Sequence, residues 1–367
     1  MVRLNTKANN SLPNLSVEDK LKIIDVFGLH QNAVLLPLSS SHNRSFLILA
    51  PHQKRLVLRI YGDSWKTRDY IMAELNVLEY LNKNSSLHVP RPIANAKQEL
   101  LSVIHVNELN TNVYCALFSF IGGDFAARPT NANVLQLGRS LGKLDLLLKQ
   151  ADLDIDPQPS LARINWDQTN LIDWPLDKMH TYNAMSLFPN SLAPMFSIDE
   201  IGQKLKYYLG MAIDNLPQQL IHADLNFDNA KFGNRVGLLD FDDIGFGSRV
   251  FDLVPALCSP LILSAKRSFT SLFVKGYLES NQLEPIELKS LPLFAAIRLF
   301  GQLGWALTRP DISWTKSLLE SGSLRLQHIC ALIEAYQKGD AVVAIEPFFY
   351  GLKPYSWQRH IADKSGI

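Results

Sequence analysis

The stretch "LIHADLNFDNAKFGNRVGLLDFDDIGFG", Leu220–Gly247, carries the densest chemistry in the chain. Leu220 and Ile221 read as a short strand, and "ADLNFDN" as a loop polar at alternate positions. "AKF" is a second strand, "GN" a turn, and "VGLL" an apolar strand ending at Asp240. Such a hairpin places Asn229, at the end of the loop, close to Asp240. An amide oxygen and a carboxylate there are hard donors of the kind magnesium takes, with water and substrate phosphates completing the octahedron. Asp224 stands across the loop, where it can accept a proton. The competing reading is a polar hairpin with no ligand. Burying such groups unpartnered costs on the order of 1–3 kcal/mol each.

Upstream of this stretch the texture changes twice. "SVEDKLKIIDVFGL" reads as a helix capped by Ser16, with Asp19 at the capping-box position and Gly28 as a stop. "AVLLPL", "RSFLILA" and "RLVLRIY" are then short β-rich runs with polar breakers between them, the pattern of consecutive antiparallel strands. Ile71, Leu75, Leu78 and Leu81 keep helical spacing, and "LLSVIHV" and "VYCALFSFI" are two more strands. Beyond the Gly-Gly pair at 122–123 the helical period dominates. Helices are expected from Thr130 to about Gln150, after the Ser197–Glu200 capping box, and over 250–259, 263–281, 286–308 and 313–338. Residues 151–195 read as loop with short helical pieces. The expected division is an N-terminal lobe over 1–120, a linker at about 118–124, and a C-terminal lobe over 121–367, with a cofactor cleft between unlike lobes.

Composition narrows the function classes. The chain has 367 residues, 47% apolar and 19% charged, enough for a sizeable core. Thirty-six basic against 35 acidic residues leave a net charge of +1, which argues against nucleic acid or an anionic membrane as partner. Three cysteines, Cys115, Cys258 and Cys330, lie too far apart for a disulfide framework, and the nine histidines are too scattered for a zinc hydrolase. The first residues lack the apolar run of a signal peptide and no uninterrupted apolar stretch suits a bilayer, so a cytoplasmic protein is expected.

The pattern H-x-D-x-x-x-x-N at 222–229, with an Asp opening D-x-D after the next strand, resembles the catalytic and metal-binding loops of the protein-kinase-like superfamily. "HADLNFDN" and "LLDFDDIGFGSRVFDL" are most similar to the aminoglycoside phosphotransferase and choline kinase family, on the branch of homoserine-kinase-like enzymes, hydroxylysine kinases and stress-response kinases. The likeness covers most of residues 30–310 and is dense around 220–255. It implies an α+β, bilobal protein-kinase-like fold: an antiparallel sheet with one main helix, then a larger helical lobe. It implies ATP and Mg2+ as cofactors, Asp224 as the base, and Asn229 and Asp240 as metal ligands. His222 would steady the loop, and Asp252 in "RVFDL" would tie a helix back to it.

In the first lobe the resemblance places Arg59 where the superfamily usually has lysine, and Glu74 on the next helix as its partner. Arginine brings a planar fork instead of a point charge. "LSSSHNRSF" falls where a loop covers the phosphates. It has no glycine, so Ser41 and Asn43 are the candidate contacts. In "RLFGQLGWALTRP", Arg298, Gln302, Trp305 and Arg309 share one helix face, with Arg298 and Trp305 as candidate acceptor contacts. A cationic wall favours a small hydroxyl acceptor bearing a carboxylate or phosphate, of the amino-alcohol or hydroxy-amino-acid kind. Two alternatives stay open: a Ser/Thr protein kinase of the stress-response type on the same fold, and a non-catalytic nucleotide-binding scaffold. Oligomeric state is not legible.

Overall fold

The computed structural model describes residues 15–38, 43–62, 66–107, 110–155, 164–188, 197–259, 268–310 and 313–339. They fall into two compact units, one running up to Gly122 and the other comprising Gly123–Asp154 and the chain from Ile164 onward.

The first unit opens with α1 (Val17–Val26), whose Ser16 cap accepts from the Asp19 amide at 3.0 Å. Asp19 is buried and accepts from the Asn107 amide at 3.0 Å, which fastens the helix to the end of a strand. The strands β1 (Val34–Leu38), β2 (Arg44–Leu49) and β3 (Leu56–Ile60) follow, then α2 (Arg68–Asn84), β4 (Pro92–Ile93), β5 (Ser102–Val106) and β6 (Thr111–Ser119). The sheet runs β1-β2-β3-β6-β4, with β5 also on β6, and every pairing is antiparallel. Alternation sends Phe46, Ile48, Leu58, Ile60, Cys115 and Leu117 into one core with Ile23 of α1 and Phe27 just after it. On α2, Ile71, Leu75, Leu78 and Leu81 are buried as their spacing predicts, and Glu74 is buried beside them.

The second unit holds β7 (Asp124–Phe125), α3 (Asn131–Ile155), β8 (Ile164–Trp166), α4 (Trp174–Thr181), α5 (Ala184–Leu187), α6 (Ile198–Ile213), β9 (Gln218–Ile221), β10 (Ala230–Phe232), β11 (Gly237–Leu238) and β12 (Gly245–Ser248). Helices α7 (Arg249–Leu257), α8 (Ser268–Leu278), α9 (Pro285–Leu307), α10 (Ser313–Glu320) and α11 (Gly322–Lys338) complete it. One small sheet is β11-β10-β7 and the other β8-β12-β9, in which β8 runs parallel to β12. The capping box of Ser197 and Glu200 starts α6 as expected. Two expectations are corrected. The segment 151–195 is not only loop and helix, since β8 lies in it. The single helix over 313–338 is two, broken at Ser321, whose hydroxyl donates to the Leu318 carbonyl at 2.9 Å and to that of Ser317 at 3.1 Å.

α9 is the axis of this unit, packed by α4, α6, α7, α10 and α11. It is long and apolar enough to cross a membrane by length and composition, yet most of it is buried by its neighbours. α3 and α8 touch backbone to backbone: a Cβ on Gly138 would lie 2.1 Å from the Phe273 carbonyl, and one on Gly276 2.2 Å from that of Leu135. Only glycine fits at either place, and this close approach sets Tyr277 against Asp145.

Candidate active site

β9 delivers the chain into the loop that holds Asp224. His222 and Ala223 come first, and Ala223 takes the left-handed conformation, φ 65°, that a side chain disfavours by roughly 1–2 kcal/mol. Asp252 of α7 holds it there. Its carboxylate accepts from the His222 amide at 2.8 Å and the Ala223 amide at 2.7 Å, all of it buried. The strain is thus sustained by two charge-assisted bonds. His222 turns its ring to the other side. Nε2 lies 3.0 Å from the Leu239 carbonyl, and Nδ1 accepts from the Asp224 amide at 3.3 Å. These partners place the ring hydrogen on Nε2. Tilted at 57° against Phe241 with ring centroids 4.6 Å apart, the imidazole joins the loop to the segment after β11.

The loop then closes on Asp224 itself. Asn229 donates from Nδ2 to the Asp224 carboxylate at 3.0 Å and to its carbonyl at 2.9 Å, and Asn226 donates to the same carbonyl at 3.2 Å. Asn226 also accepts from the Asp228 amide at 2.8 Å, starting the tight turn Phe227–Asn229. With its amide hydrogens spent on Asp224, Asn229 has its side-chain oxygen left over as an acceptor. The Leu239 amide donates to the Asn229 backbone carbonyl at 2.9 Å, which draws Asp240 alongside. The paired part of the hairpin is shorter than the apolar run: it stops at Leu238, and Asp240 sits beyond it at φ 64°. Asp228 is the unexpected neighbour. One of its oxygens is buried without a partner among the described residues, and burial together with the Asp224 charge raises its pKa to about 6.

Behind Asp252 lies a second acid that no motif announced. Asp145 of α3 is fully buried and accepts from the Tyr277 hydroxyl at 2.6 Å. Burial first, and then the Asp252 charge, push its carboxyl well above the ordinary range, so the proton of this pair belongs on Asp145. Burial also raises Asp252, against the pull of His222. Arg249, at the head of α7, forks onto Glu287 of α9 at 2.9 and 2.5 Å. The sequence held a sign of Asp145: it shares a helical stripe with Leu141, Leu144 and Leu148, an acid where the core expects an apolar side chain.

Of the acceptor candidates, Arg298 reaches the loop and forms an ion pair with the Asp224 carboxylate. Trp305 is half-buried two turns on, with the Arg309 guanidinium 4.7 Å from its ring centroid. In the first unit, Arg59 donates to Glu74 at 2.8 Å. Asn43 is buried at the start of β2, and Ser41 lies outside the described residues.

Comparison with known proteins identifies the family. The model of the "Phosphotransferase enzyme family" matches residues 34–289, about seven-tenths of the chain. The chain belongs to this family. It is therefore a kinase, a phosphotransferase with an alcohol group as acceptor, and the resemblance carried by "HADLNFDN" holds. This phosphotransferase is 25% identical to the amicoumacin kinase of Bacillus subtilis over 253 residues, 66% of this chain and 70% of that one. It is 24% identical to the hydroxylysine kinase of Bos taurus over 311 residues, 77% of this chain and 79% of the relative. The structure of a microcompartment-associated aminopropanol kinase shares the fold, with TM-score 0.66 at 20% identity, covering 93% of this chain and all of that one. The expected α+β, kinase-like class is the observed one.

Proposed function

We propose that this phosphotransferase moves the γ-phosphoryl group of ATP to the hydroxyl of a small molecule of the amino-alcohol or hydroxy-amino-acid kind, with Asp224 as the base. The observation that carries the reading is the double tie of Asn229: its side chain holds Asp224, while its backbone holds the segment that ends in Asp240. One residue thereby fixes the spacing between a proton acceptor and a pair of hard oxygen donors. Asn229 and Asp240 fit a divalent cation, magnesium in this reading, which when bound neutralises charge on the nucleotide phosphates.

The chain's own residues do the rest. Asp224 orients the acceptor hydroxyl and takes its proton as the new O–P bond forms and the bond to the ADP oxygen breaks. His222 and Asp252 hold the loop in the strained geometry that aims Asp224. Arg59, steadied by Glu74, offers its fork to phosphate oxygens. Ser41 and Asn43 remain candidate phosphate contacts in the same reading, Trp305 a candidate acceptor contact, and a cytoplasmic setting belongs to it as well. Several relatives are named for small hydroxylated acceptors, hydroxylysine and amicoumacin among them, which supports the acceptor class. A thermal-shift titration tests the metal assignment. ATP with magnesium should raise the melting temperature of the wild-type chain, and Asp240→Ala should abolish the magnesium-dependent part. An ATP shift indifferent to magnesium, or one unchanged in Asp240→Ala, contradicts it.

A further inference from the structure

Arg325 of α11 is 9% exposed, and among the described residues it pairs with no carboxylate. Its Nε donates to Ser321 Oγ at 3.1 Å and one terminal nitrogen to Gln302 Oε1 at 3.5 Å, two neutral partners for a buried cation. Burial brings its pKa down only to about 10, so it stays charged at neutral pH. Gln302 lies one turn beyond Arg298 on α9, about 6 Å along the axis. Arg298 is also incompletely used, because its Nε is buried with no partner among the described residues. The Cys258 thiol, pushed up to about 12 by burial, is drawn back by the charges of both Arg298 and Arg325. His328, lowered to about 4 by burial and then by Arg325, adds no competing charge.

Gln302 bonds one guanidinium and lies a helical turn from the other, while the one carboxylate paired with either among the described residues is Asp224, on Arg298, so positive charge is in excess here. A buried ion without its counterion costs several kcal/mol, and a planar fork with free donors is shaped for a carboxylate. Asp224, the carboxylate that is present, is also the group assigned to take a proton.

We infer that Arg325, with Arg298 and Gln302, forms an anion subsite for the acceptor, and that the acceptor is a short hydroxy acid whose carboxylate enters it. The inference rests on the kinase reading of the same site. The carboxylate draws Arg298 from Asp224, so the base is released only when an acceptor of the right charge has arrived. Arg325 is a specificity residue in this scheme, reached from Arg298 through Gln302.

Matched acceptors that differ by one carboxylate test it: L-serine against ethanolamine, L-threonine against isopropanolamine, and L-homoserine against propanolamine, each with ATP and magnesium. In at least one pair the acid should exceed its decarboxylated partner in kcat/KM by about tenfold or more. Arg325→Met should erase that preference, chiefly through KM for the acid. If Arg325→Met does not fold, Arg325→Lys decides the same point by raising KM for the acid and not for the amine. Preference for the decarboxylated members, a preference unchanged in the Arg325 variants, or no phosphorylation of any acid while magnesium–ATP still stabilises the protein would each overturn the subsite. Failure of magnesium–ATP to stabilise the wild-type chain is a different result and counts against the kinase reading itself.

Discussion

Arg59 and Glu74 form an ion pair in the first unit, and Arg298 and Asp224 form one in the second. The first pair is closed. Glu74 accepts from Arg59 at 2.8 Å on one oxygen and from the Tyr61 hydroxyl at 3.0 Å on the other, with side-chain exposures of 16% and 4%. The Arg59 guanidinium also lies 5.6 Å from the Phe118 ring and 6.0 Å from that of Tyr61. The second pair is open. Its side chains are 19% and 27% exposed, Arg298 leaves a buried nitrogen unused, and Asp224 already serves Asn229. The same two residue types thus make a fixture in one place and an exchangeable contact in the other. Surrounding donors and burial decide which, because a pair can exchange partners only where separating it leaves neither charge stranded.

That contrast can be broken. Arg59→Met takes the guanidinium from the buried Glu74 carboxylate and should cost about 3–5 kcal/mol in urea unfolding, with weaker nucleotide binding as well. Arg298→Met should cost only about 1 kcal/mol or less by the same measurement, since Asp224 keeps its amide donors and its exposure to solvent. Equal losses in the two variants would show that the pairs do not differ in kind.

A smaller effect concerns the carboxyl pair behind the loop. Asp145 is raised in the folded protein from an ordinary value of 3.8, so the native state keeps a proton that the unfolded chain releases. Stability therefore declines as pH climbs from about 4 toward the folded value. Asp145→Asn carries its hydrogens permanently, can still accept from Tyr277, and should flatten that decline. A urea midpoint whose pH dependence is the same in Asp145→Asn would mean that the proton resides elsewhere.

Much of this was legible in the sequence, and the limits follow from physics. The strands of the first unit are β-rich runs between polar breakers, so β1, β2 and β3 differ by no more than a residue or two from expectation. Ser16 and Ser197 announce their helices by local hydrogen bonds, which need no tertiary context. The neighbourhood of Asp224, Asn229 and Asp240 was readable because a hairpin is a short-range object. β8 was not, since its pairing with β12 joins segments about eighty residues apart and only three residues mark it. Glu74, Asp145 and Arg325 share a subtler signature: each is a charge set in the apolar stripe of its helix. For Glu74 the resemblance supplied a partner. For Asp145 the partner Tyr277, and for Arg325 the partner Gln302, come from other helices, and spacing alone says nothing about those.

The central claim is that Asp224 removes a proton while other groups hold the nucleotide. Comparing wild type with Asp224→Asn tests it directly, by phosphoryl transfer to the acceptor and by magnesium–ATP affinity on the same samples. The account predicts that transfer falls on the order of a thousandfold while affinity stays within about twofold. An Asp224→Asn enzyme that turns over at the wild-type rate would contradict it.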